Sequence, residues 1–391
     1  MYRGFQVIDA DAHMQPPGDI WDRYVEPEFH DRRPLVHLWE NKMFHHYSPC
    51  ELYPEGTGPG RTGGGGGRQS KVLRPQKVTD QMHSKWGAAW EADFNAESRL
   101  KDMGTYGWDK MVCIPGGSAP LRLLGHDPML MAGLTRAWNN WAHDFCSADP
   151  SRIKMVAELP NQHDIEGLVG ETRRAVEQLG AVTVTVPMSV PGKWWHDSYY
   201  DPFWNSAVEL DIPMSFHGVM SGTPHVGSRY QQQPGQFIAL EHAMGFPMEN
   251  MISMGHVIYS GILERFPKLR VSFLEGSSGW LPFWLGRLDD HAVEGRRQAV
   301  FFDAPPLTLK PSEYFFRQGF VACDGDEAAV KAAVELSGED NIVWNTDYPH
   351  PDAADPDKAI PSLLDQPISE QAKRKILWDN SVRLYGQRML T

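Results

Sequence analysis

Two rhythms of apolar residues alternate along this chain. Short runs in which nearly every side chain is apolar recur at residues 7–13, 111–114, 153–159, 181–186, 212–216, 269–274, 319–323 and 342–345. Between them lie longer stretches with helical spacing, at 97–107, 129–146, 164–179, 203–210, 237–265, 281–290 and 327–336. In the 164–179 stretch, Ile165, Leu168, Val169, Ala175 and Val176 fall near one side and Gly180 supplies a stop. Short runs apolar on both faces mark parallel strands covered by helices. Eight strands alternating with helices predict an α/β fold, a single (β/α)8 TIM barrel spanning residues 1–391. An open doubly wound sheet fits less well, because no GxGxxG turn follows the first strand.

The rhythm breaks once, between about residues 14 and 96. That insertion after the first strand carries Pro16-Pro17 and five consecutive glycines, Gly63 to Gly67. Such a run holds no fixed conformation cheaply. It is no phosphate loop, since no strand precedes it and no Lys-Ser/Thr follows at the required offset. It reads as a mobile tip over an active site or as a plain surface loop.

Composition narrows the function classes. With 37 basic and 50 acidic residues the net charge is −13, which argues against nucleic acid as a partner. There is neither an 18-residue apolar span nor a signal-type N-terminus, so a cytoplasmic location without membrane contact is expected. Cys50, Cys113, Cys146 and Cys323 form no CxxC motif and read as reduced thiols. The 14 Trp and 17 Met are consistent with a large apolar pocket or with generous core packing.

The candidate chemistry lies at the strand ends, where barrel active sites form. Asp11 and His13 are two apart on the first strand and project to the same side. His217 follows the fifth strand, Glu275 the sixth and Asp347 the eighth. All are nitrogen or oxygen donors. Burying three carboxylates together is costly without a cation, so the set predicts a divalent metal site. His350, just past Asp347, is a further ligand or proton carrier. His256 lies within a predicted helix, where a structural histidine is the simpler reading, and His225 and His242 are weaker candidates still.

Four segments, Ile8-Asp9-Ala10-Asp11-Ala12-His13, Phe216-His217, the Gly261–Arg270 run leading to Glu275-Gly276, and Trp344 to His350, together resemble the amidohydrolase superfamily in its decarboxylase-like branch. The resemblance implies a metal at the mouth of a barrel that hydrolyses, hydrates or decarboxylates small acids. This chain departs from the common pattern in having Asp11-x-His13 for His-x-His, Gln15 where some relatives carry Glu, and Glu275 where many carry His. A carboxylate-rich site resembles an offshoot of the superfamily, the nonheme diiron monooxygenases typified by the diterpenoid hydroxylase of platensimycin and platencin biosynthesis.

The leading expectation is therefore a monooxygenase. Asp11, His13, His217, Glu275 and Asp347 would hold two irons, with His256 or His350 completing the second site and zinc or manganese as alternatives. Asp347, Glu275 and His350 would serve catalysis. The substrate would be a bulky apolar molecule carried as a CoA thioester, and O2 and an external electron donor would be required. A homo-oligomer is compatible with this reading. The alternative is a mononuclear hydrolase or nonoxidative decarboxylase of a small carboxylic acid, with Asp347 as general base. A non-catalytic binding barrel is a third reading.

Overall fold

A computed structural model describes residues 1–34, 36–40, 44–47, 76–116, 127–160, 164–187, 192–217, 226, 238–292 and 307–391. The glycine run, Cys50 and His225 lie outside these residues. Strand β1 (Ile8–Met14) is followed by a small antiparallel pair, β2 (Val36–Glu40) and β3 (Phe44–Tyr47). The remaining strands are β4 (Lys110–Pro115), β5 (Ile153–Ala157), β6 (Thr183–Val186), β7 (Met214–His217), β8 (Val271–Leu274), β9 (Gly319–Asp324) and β10 (Ile342–Asn345). Eight of them form one sheet in the order β1-β4-β5-β6-β7-β8-β9-β10, every pair parallel. Each sequence-predicted strand is present, with ends shifted by one or two residues.

Both faces of this sheet are dry. Strand residues divide between two separate apolar clusters, Ile8 and Ala10 in one and, past a register shift between Asp9 and Ala12, Ala12 and Met14 in the other. The same division separates Val112 from Cys113 and Val343 from Trp344. That two-sided burial is why the strands read as continuous apolar runs. Much of the tryptophan is packing: Trp21, Trp108, Trp138, Trp195, Trp204 and Trp344 are almost wholly buried.

The ring closes between β1 and the end of β10. Asp347 N donates to Asp11 O at 3.0 Å, and His13 N donates to Tyr348 O at 2.6 Å. A buried carboxylate reinforces the seam. Asp9 accepts from Thr346 N at 3.1 Å, from Thr346 Oγ1 at 2.5 Å and from Asp11 N at 3.2 Å.

Local sequence explains the helix positions. Asn95 caps the helix Ala96–Tyr106 through Ser98 N, and Gly107 ends it in left-handed backbone. Asp127 and Asp164 cap Pro128–Cys146 and Ile165–Glu177 in the same way. The predicted insertion holds regular elements beyond the hairpin, among them Ile20–Tyr24 and Gln76–Trp86. Helices at Pro311–Gln318, Ala359–Leu364, Glu370–Arg374 and Asn380–Tyr385 were not foreseen. None is longer than eight residues, too few turns to display a helical stripe.

Candidate metal centre

Six of the predicted residues meet at the C-terminal ends of the strands. Asp11 and His13 come from β1, His217 from the end of β7, Glu275 from just past β8, and Asp347 and His350 from just past β10. His13 Nε2 lies 3.6 Å from Asp11 Oδ1 and 3.0 Å from Asp347 Oδ1. His217 Nε2 lies 3.7 Å from Asp11 Oδ2 and 2.7 Å from Glu275 Oε2. His350 Nδ1 stands 2.8 Å from Asp347 Oδ1. The His13 and His350 rings are stacked at 4.1 Å, and His217 meets His13 edge-on at 5.1 Å.

The donors form two overlapping triads, Asp11–His13–His217 and His13–Asp347–His350. Within each triad, ligand atoms lie no more than 4.8 Å from one another. Both Asp11 carboxylate oxygens, His13 Nε2, His217 Nε2, Glu275 Oε2 and Asp347 Oδ1 are buried and face only one another and His350, with no hydrogen-bond partner outside the cluster. Native interiors rarely leave polar atoms in that state. Six such atoms in one place, all nitrogen or oxygen, fit a divalent cation of intermediate hardness.

Electrostatics agree with that fit. Burial pushes the Asp11 carboxyl well above its usual range, and the neighbouring charges of Glu275 and Asp347 add to the rise against His217. Burial likewise raises Glu275, with Asp347 as its strongest like-charged neighbour. Burial and His350 push His13 down to about 3, so its imidazole is neutral and free to ligate. Burial also opposes charge on Asp347, but His350 and His13 outweigh it and hold the group ionised. Burial opposes charge on His350 too, yet Asp347 and Glu275 raise it to about 9. The last two form an ionised pair at the edge of the cluster.

The backbone is strained where donors leave the barrel. Glu275 has φ 54° and Asp347 has φ 57°, in the left-handed region that non-glycine residues seldom occupy. Asn250 Nδ2 donates to Leu274 O at 2.7 Å, and Glu327 accepts from Ser278 N and Gly279 N, so the turn around Glu275 is held on both sides. Past His350, Lys85 Nζ donates to Pro351 O and Ala353 O.

His256 is not brought to the cluster. Its Nε2 lies 2.9 Å from His196 Nδ1, and its ring packs against Trp194. The reason is helix length. The helix Ile238–Tyr259 follows β7 and so starts near the mouth, but His256 is 18 residues along it, roughly 27 Å away at 1.5 Å per residue. His242, in the first turns, pairs with Asp352 at 3.2 Å. Asp9, Arg99 and Tyr348 were missed. The signal available for Asp9 is an acid inside an apolar strand; nothing in the sequence distinguishes Arg99 from a surface helix arginine.

The profile of the amidohydrolase family matches residues 8–387, and the chain belongs to that family. It is similar to 2-amino-3-carboxymuconate-6-semialdehyde decarboxylase of Dictyostelium discoideum, with 27% identity over 65% of this chain and 66% of the relative, just under two thirds of that enzyme's length. It is also similar to the gamma-resorcylate decarboxylase of a Polaromonas species, with 26% identity over 64% of this chain and 75% of the relative. The 5-carboxyvanillate decarboxylase of Novosphingobium aromaticivorans, solved with manganese and 4-hydroxy-3-methoxy-5-nitrobenzoic acid, shares the fold. It has a TM-score of 0.69 and 20% identity, and covers 98% of this chain and 97% of its own.

These relatives overturn the monooxygenase expectation. They are decarboxylases, and the metal in the solved complex is manganese. Two irons, O2, an electron donor and a CoA thioester have no support among them. A carboxylate at position 275 does not by itself call for a second metal. The two triads overlap at His13, so they are not two independent ligand sets.

Proposed function

We propose that this chain is a metal-dependent, nonoxidative decarboxylase of a small hydroxylated aromatic acid. The observation that carries the reading is the set of six buried donor atoms at the barrel mouth that find no partner outside their own cluster, in a chain whose relatives decarboxylate. Asp11, His13, His217 and Asp347 would hold the ion, with Glu275 beside His217, and manganese is the first candidate. The bound cation would supply Lewis acidity, orienting the substrate and drawing off charge as the carboxylate departs.

The chain's own groups provide the rest. The Asp347 Oδ1–His350 Nδ1 pair holds a proton at the edge of the cluster. As the C–C bond breaks, CO2 leaves, the electron pair stays on the ring carbon, and that pair of residues delivers the proton which takes the carboxylate's place. Burial of the donors keeps bulk water away from them. The test is to load the protein with Mn2+ and incubate it under argon with 2,6-dihydroxybenzoate and 5-carboxyvanillate. Release of one CO2 per phenol formed, at the same rate in argon and in air, is expected for at least one of them. Hydroxylated product, or turnover that requires O2, would overturn the reading.

A further inference from the structure

Arg99 is a wholly buried cation outside the donor set. It lies on the helix Ala96–Tyr106, and its side chain reaches β1 and β4. Its Nη2 donates to His13 O at 2.5 Å. Its Nη1 points at Cys113 Sγ and Met111 Sδ, at 3.6 and 3.8 Å. Its Nε has no hydrogen-bond partner, and it forms no ion pair among the described residues. The guanidinium lies 4.3 Å from the centre of the Tyr348 ring. A guanidinium left without a carboxylate in a dry interior is expensive, so its position calls for a reason.

The contacts supply one. His13 is gripped through both of its main-chain polar groups: its N–H donates to Tyr348 O, and its carbonyl accepts from Arg99. Tyr348 directly follows Asp347 and is gripped twice by the same helix. Arg99 covers its ring, and its hydroxyl donates to Asp102 Oδ2 at 2.6 Å. One turn of helix thus holds the two segments that carry His13 and Asp347, 3.0 Å apart across the seam. We propose that Arg99 is a positioning residue for the metal centre, fixing His13 and the Asp347-Tyr348 segment in the spacing that one cation requires.

This inference rests on the metal-centre reading but not on decarboxylation, and its test separates the two. Mn2+ affinity of the metal-free wild type, Arg99→Met, Arg99→Lys and Tyr348→Phe is measured by titration, with the paramagnetic resonance signal of free Mn2+ as readout. Loss of a residue that orients a ligand weakens metal binding by about tenfold or more, so that is expected of Arg99→Met. Arg99→Lys should recover part of the loss. Tyr348→Phe, which cuts only the Asp102 tether, should show a smaller one. With an active substrate, kcat should fall while KM holds. A purely structural role would lower the melting temperature of Arg99→Met and leave Mn2+ affinity within about twofold of wild type, which would overturn the proposal. If Arg99→Met does not fold, Arg99→Gln decides by the same criterion. Wild-type Mn2+ binding without CO2 release would sink the decarboxylase reading alone.

Discussion

Asp347 meets several demands at once. Its carboxylate reaches both His13 and His350, its main-chain N–H closes the barrel on Asp11, and its backbone sits at φ 57°. Asp324, at the end of the neighbouring β9, shows the contrasting case. Burial pushes its carboxyl up to about 7 against a hydrogen bond from Asn345, and the charges of Glu327 and Asp347 push the same way. The folded chain therefore holds a proton on Asp324 at pH values where the unfolded chain, with a carboxyl pKa of about 3.9, has lost it. The stability from this group is fully present below pH 4 and is lost as pH rises through 7. Asp324→Asn should flatten the fall in melting temperature of the metal-free protein between pH 5 and 8, measured by calorimetry; an unchanged slope would remove Asp324 from the account. At this scale the sequence was readable where strand periodicity dictated direction, as for Asp11 and His13. It failed for His256, because a helix carries its last turn far from the mouth, and for Arg99, because its role depends on a carbonyl 86 residues away.

Among the elements, the seam between β1 and the turn after β10 has the most at stake. Thr346 serves it twice: Oγ1 donates to Asp9 Oδ2 and accepts from Tyr348 N at 3.0 Å. Thr346→Val keeps the shape and removes both interactions, leaving a buried carboxylate oxygen short of a donor. It should cost about 1–3 kcal/mol of folding stability, measured by urea unfolding of the metal-free protein; a cost near zero would mean the main-chain bonds alone close the ring. The strands themselves were legible because two-sided burial makes them continuous apolar words. The short helices after β10 were not, since pieces of five or six residues take their helicity from packing rather than from sequence periodicity.

At the scale of the whole molecule, three carboxylates from distant parts of the chain are forced together in the dry mouth of the barrel. Their mutual repulsion opposes folding until a cation joins them. Chelation should lower the melting temperature, and added Mn2+ should restore it; at 100 times its dissociation constant a ligand specific to the folded state contributes about 2.7 kcal/mol. Scanning fluorimetry with EDTA and then Mn2+ checks this, and a melting temperature indifferent to both would argue against a metal centre. The barrel and the position of its site followed from the order of apolar runs. The chemistry did not, because a cluster of oxygen and nitrogen donors is compatible with several reactions and a single glutamate cannot choose between them. No helix among the described residues is long and apolar enough to cross a membrane.

The closed seam has a consequence in time. One donor segment is near residue 11 and another near residue 347, so a growing chain has Asp11 and His13 almost from the start and lacks Asp347 and His350 until its last strand appears. Contacts this distant in sequence form late in folding. The ion can therefore find its full set of donors only in a finished, closed ring. Metal uptake would then act as a proofreading step on synthesis, separating completed barrels from every shorter or half-folded version of the same chain.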